Sequence, residues 1–168
     1  KTAQGMNLLF SADQLLSNPY PLWRLAFARL LSEPDCRLHA NEPSEELSEA
    51  IQKAYDLPAP PNLETPDEAA PLGDYLLFDL GPSAIPAHLK NGAKKKVGFV
   101  GVGNDLAHKL KVFTDEEYDL ILSELLPSEL PRGLPDESLE HFLATHCFLP
   151  PHTDFFRLKS GPARKVVL

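Results

Sequence analysis

Seventeen prolines spread over 168 residues cut this chain into short segments. Proline donates no backbone hydrogen bond and pushes the residue before it out of the helical region, so each one closes a helix or bars a central strand. Only Ala87 to Leu126 forms a long stretch free of them, and a β-turn-α core is expected there. The densest cluster is Pro58 to Pro71, with five prolines in fourteen residues together with Glu64, Asp67 and Glu68. It reads as an irregular acidic loop or arm within a single domain spanning 1–168.

Between the prolines the pattern of apolar residues suggests the elements. Ser11 to Ser17 reads as a short helical turn. Pro21 suits the first position of a helix, and Leu22 to Glu33 follows as a helix that is apolar almost all round. Ser44 to Leu57 is a second helix, capped by Asn41 or Ser44 and favoured by Glu45 and Glu46 at its positive end. Asp74 to Leu80 and Lys96 to Val102 read as strands, with Lys111 to Phe113 a possible third. Thr114 and Glu117 suggest a capping box that opens a helix to Leu126, and Asp136 to Cys147 a further helix. The expected class is α+β: about four helices packed with a small sheet of two or three short strands, joined by proline-rich irregular connections.

Charge narrows the function. A formal net charge of −8 argues against a general nucleic-acid binder. The distribution is uneven: Ala54 to Leu89 carries six acids and no Lys or Arg, after which Lys90, Lys94, Lys95 and Lys96 arrive together. The longest apolar concentration, Leu22 to Leu31, is broken by Arg24 and Arg29, so no membrane-spanning segment is expected. Two cysteines, Cys36 and Cys147, do not make a disulfide scaffold, which favours a reducing compartment. Such a compartment would be the cytoplasm, or an organelle interior if Lys1 follows a removed targeting peptide; Lys1 to Gly5 otherwise read as residues added ahead of Met6, and the sequence does not choose between them.

Reactive groups are scattered. Gly101 and Gly103 match two glycines of a phosphate-binding turn, but Leu106 stands where the third would be and no Gly-Lys-Ser/Thr follows. His152-Thr153-Asp154 is half of an iron triad with no second histidine downstream. Cys36, His39, His141, His146 and Cys147 are zinc-type ligands without zinc-type spacing. There is no nucleophile elbow, and the paired acids sit in first helical turns, where the helix dipole explains them. No cofactor, metal or catalytic residue is expected.

The leading expectation is therefore a non-enzymatic protein-interaction module, an accessory or structural subunit of a larger assembly. Its partner would be another protein or complex, held through Trp23, Phe27, Phe155 and Phe156. The alternative is a small ligand-binding domain or enzyme that holds an anionic ligand at the Gly98 to Asp105 turn, through Lys95, Lys96, Gly101, Gly103 and Asn104. A docking-type inhibitor or regulator of one enzyme is the third reading.

Overall fold

A computed structural model describes residues 6–17, 20, 23–69, 73–81, 85–101 and 105–123, and the backbone of 146–147. These residues form seven strands and six helices: β1 (Asn7–Ser11), α1 (Ala12–Ser17), α2 (Arg24–Leu31), β2 (Cys36–His39), α3 (Glu45–Tyr55), β3 (Leu63–Glu64), α4 (Pro66–Ala69), β4 (Tyr75–Asp79), α5 (Ala87–Gly92), β5 (Lys95–Val100), α6 (Leu106–Asp115), β6 (Leu120–Ser123) and β7 (His146–Cys147). The strands make one sheet in the order β3-β2-β1-β4-β5-β6-β7. Every pairing is parallel. The chain builds outward from β1 to β3, returns to the other side of β1, and builds outward again from β4 to β7, so the order reverses between β1 and β4.

This corrects the expected α+β class. The protein is an α/β fold with a seven-stranded parallel sheet among the described residues, not four helices beside two or three strands. Three physical causes explain the difference. First, β1, β2 and β3 are only 5, 4 and 2 residues long, too short for a periodic pattern to stand out, and β2 carries Arg37 and His39 on its second face. Second, Lys111 to Phe113 belongs to α6, whose buried stripe is Leu106, Lys109, Leu110 and Phe113. Third, Thr114 sits in the last turn of α6, where its hydroxyl donates to the Leu110 carbonyl, so it opens no helix. Glu117 adopts a left-handed φ of 54°, and the Tyr118 N–H donates to the Phe113 carbonyl at 2.9 Å. That bond closes the helix in the manner usually given to glycine. Beyond it, Leu120–Ser123 forms β6, and His146–Cys147, at the end of the last expected helix, forms β7. Residues 124–145 of the two expected helices lie outside the described residues.

Other local expectations correspond to real elements. Ser44 caps α3, its hydroxyl accepting from the Leu47 N–H at 3.0 Å. The proline-rich segment 58–71, expected to be an irregular loop or arm, instead contains both β3 and α4. Thr65 and Glu68 form a reciprocal capping box there: the Thr65 N–H donates to the Glu68 carboxylate at 2.7 Å, and the Glu68 N–H to the Thr65 hydroxyl at 3.2 Å. Arg37 on β2 holds the edge strand by two 2.7 Å bonds to Glu64 on β3.

Alternation along the strands sends side chains to two faces. One face carries Phe10, Leu38, Phe78, Val97 and Phe99 and is covered by Leu15 of α1, Phe27 and Leu31 of α2, and Ile51 and Tyr55 of α3. Phe10 stacks on Phe78 at 4.3 Å, and Phe27 meets Phe99 edge-on at 5.2 Å. Each such ring contributes about 1.5–3 kcal/mol through burial. The other face carries Leu9, Leu77, Gly98, Val100 and Ile121 under α4, α5 and α6. No helix among the described residues is long and apolar enough to cross a membrane.

Candidate functional site

In an open parallel sheet the backbone dipoles, the short strand-to-helix turns and the crevice at the strand-order reversal all meet at the carboxyl ends of the strands. Here that edge is polar and buried. On the face under α4 and α5, the last inward positions of β2, β1 and β4 are His39, Ser11 and Asp79. Ser11 pairs in register with His39, and Ser11 and Asp79 each lie two residues beyond the paired Leu9 and Leu77. All three are buried, at 3%, 4% and 5% exposure.

Most of this edge is tied down. The Ser11 hydroxyl accepts from the Gln14 N–H at 3.2 Å and so caps α1 directly after β1. The Gln14 side chain crosses to β4. Its Oε1 accepts from the Leu80 N–H at 2.8 Å, and its Nε2 donates to Asp79 Oδ1 at 3.0 Å and to the Gly81 carbonyl at 3.3 Å. The Tyr118 hydroxyl donates to Asp79 Oδ2 at 2.6 Å. Burial raises the Asp79 pKa, against the pull of the Tyr118 and Gln14 bonds and of the Lys90 charge.

Beside it, Lys109 of α6 reaches over the sheet end. Its Nζ donates to the Tyr20 hydroxyl at 2.6 Å, to the Leu80 carbonyl at 3.0 Å and to the Phe99 carbonyl at 3.4 Å. Those three acceptors match the three donors of an ammonium. Burial lowers the Lys109 pKa, and the carboxylates of Asp105 and Asp79 oppose the shift.

His39 is the exception. No protein group among the described residues bonds either of its ring nitrogens. Burial pushes its pKa down to about 4, with the Asp13 carboxylate pulling it up and His88 pushing it further down. Asp13 opens α1, while His88 of α5 stands 3.4 Å from Asp67 of α4. The charges that act on His39 at this corner therefore come from two helices, Asp13 of α1 and His88 of α5. Almost all other buried side-chain polar atoms are bonded; the Trp23 indole N–H, within the aromatic core, is the other described orphan.

The residues expected from sequence are distributed differently. Lys95 and Lys96 stand at the amino end of β5 and Gly101 just past its carboxyl end, about 20 Å away at strand rise. Lys95 faces Asp119 at 3.6 Å. Lys96 donates to the Glu116 carbonyl, lies 4.8 Å over the Tyr118 ring, and with Lys90, Asn91 and Glu117 lines a 390 Å³ cavity beside α5. Gly98 is mid-strand. Gly103, Asn104, Phe155 and Phe156 lie outside the described residues. Trp23 and Phe27 pack inside the core, against Phe99.

Cys36 and Cys147 stand on β2 and β7, five inter-strand spacings apart, about 24 Å, too far to share a metal or a disulfide. Burial and Glu33 raise the Cys36 thiol to about 12, leaving it unreactive at neutral pH. No group of three or more metal-type ligands converges among the described residues.

Ser11, Gln14, Tyr20, Asp79 and Lys109 were not singled out as site residues by sequence reasoning, and His39 entered it only as a zinc-type ligand without the right spacing. A signal existed for Asp79, an acid closing an otherwise apolar strand just before Gly81-Pro82. Nothing in the chain linked it to Gln14, 65 positions earlier. No protein-family model, curated protein or solved structure matches this chain.

Proposed function

We propose that this protein is a small-molecule-binding α/β domain, with its site at the carboxyl edge of the sheet on the β2-β1-β4 side. The observation that carries the reading is the row His39, Ser11 and Asp79 at the strand-order reversal, buried and polar. Ligand crevices in such sheets form where neighbouring connections leave on opposite faces, and α1 and α4–α5 do so here. Gln14, Tyr118 and Lys109 hold one wall rigid, which lowers the ordering cost of binding. This develops the ligand-binding alternative raised by the sequence and moves its site to the β2-β1-β4 edge.

An interaction module draws on less. Trp23 and Phe27 are used by the core, and Leu16 and Leu25, at 36% and 47% exposure, are the exposed large apolar residues among those described. Exposed apolar residues scattered singly are common on monomers.

The test is an amide NMR screen of the full chain against nucleosides, sugars, amino acids and sugar phosphates. The expected result is saturable shifts of the amides at 11–14, 39–40 and 79–81 with at least one compound. Shifts confined to other surfaces, or none, would overturn the reading.

A further inference from the structure

We infer that His39 hydrogen-bonds the bound molecule directly, and that this molecule is an uncharged hydroxyl compound, a polyol or sugar; the inference rests on the carboxyl-edge site proposed above. Buried polar side chains are almost always bonded, and one left without a protein partner needs an explanation. His39 is 3% exposed, stands at the end of β2 next to Ser11, and has both ring nitrogens unpartnered. Leu38 makes the core contact on the opposite face of β2. An imidazolium here would bury two donors and a charge without an acceptor, so the ring is neutral. A neutral imidazole offers one N–H donor and one lone pair.

The complementary group must therefore both accept and donate. An ammonium has no acceptor, and a carboxylate or dianionic phosphate has no donor; a hydroxyl has both. The surroundings point the same way. The Asp13 carboxylate acts on His39 from α1, and it repels an anion and accepts from hydroxyls. The lysines nearest Asp79 are engaged: Lys109 bonds Tyr20 and two carbonyls, and Lys90 pairs with Glu116.

Long-range nitrogen–proton NMR of histidine-labelled protein tests this, with His39→Phe identifying the His39 signals. The probes are D-ribose, D-glucose, myo-inositol, inorganic phosphate and zinc chloride. At least one of the three hydroxyl compounds is expected to move both ring nitrogens of His39 and the 79–81 amides saturably, with no response to phosphate or zinc. His39→Phe should weaken that binding at least tenfold. His39→Gln, which keeps a donor and an acceptor, should retain part of it and covers the case in which the Phe variant fails to fold. If a compound shifts the 79–81 amides while the His39 ring stays still, this inference fails and the carboxyl-edge reading survives. A ring response to phosphate or zinc alone overturns the ligand class. Silence of the whole edge to every compound overturns both.

Discussion

Gly98 is the position where one added methyl group should travel furthest through the structure. A Cβ built there would lie 2.5, 2.6 and 2.7 Å from three carbons of the Phe113 ring, well inside contact distance. Phe113 is 2% exposed and packs at 4.5 Å on Tyr118, whose hydroxyl holds Asp79 at 2.6 Å. Gly98→Ala must therefore displace a buried ring that packs on Tyr118. Overpacking of this kind costs about 1–3 kcal/mol. Loss of the bond to the buried carboxylate adds about 1.5–3 kcal/mol. Against this, alanine restricts the unfolded chain and returns about 0.4–1 kcal/mol. The net expectation is a destabilisation of about 3 kcal/mol, read as a fall of about 1.5 M in the urea midpoint at an m-value of about 2 kcal/mol/M.

A double-mutant cycle isolates the cause. Phe113→Val removes the clashing ring carbons, so adding Gly98→Ala in that background should cost less than about 1 kcal/mol, a coupling above about 1.5 kcal/mol. Equal costs in the two backgrounds, or a loss below about 0.5 kcal/mol in the native one, would refute the argument.

Two further outcomes follow from local features. His39 binds its proton less readily folded (pKa about 4) than unfolded (about 6.5), so the unfolded state takes up more protons on acidification and stability falls as pH drops through this window. For the full shift the loss from pH 7.5 to 5 is about 2 kcal/mol; urea midpoints of the native protein and His39→Phe at both pH values measure it, and an equal drop in both would refute the assignment. Glu117→Gly should stabilise by about 0.5–1 kcal/mol, because Glu117 holds a left-handed φ of 54° without a glycine's freedom. A lowered thermal midpoint in calorimetry would show that its side chain does something that outweighs the strain.

The legible parts of this protein were those fixed by near neighbours in the chain. Ser44 capping α3, the strand Tyr75–Asp79 and the strand Lys95–Val100 follow from residues a few positions apart. The Thr65–Glu68 capping box is equally local in the chain, although the density of prolines around it points to an irregular loop or arm. Leu120–Ser123 was not readable, since Tyr118, Ile121 and Leu122 suit a helix face as well as a buried strand. What separates the two is Glu117 turning left-handed to end α6, together with the edge of β5, which Leu120–Ser123 joins from Val97 to Val100.

By itself, then, the amino-acid sequence determined where prolines interrupt the chain, which segments are apolar enough to be buried, and that it holds no nucleophile elbow and no complete phosphate-loop motif. It could do so because propensity, capping and proline geometry act over a few residues. The tertiary structure alone decided that short apolar segments become parallel neighbours, that Gln14 meets Asp79, that Lys109 meets Tyr20, and that His39 is buried without a protein partner. Those outcomes depend on pairing strands and packing helices far apart in the chain, and a buried polar group acquires or lacks a partner only once that packing is complete.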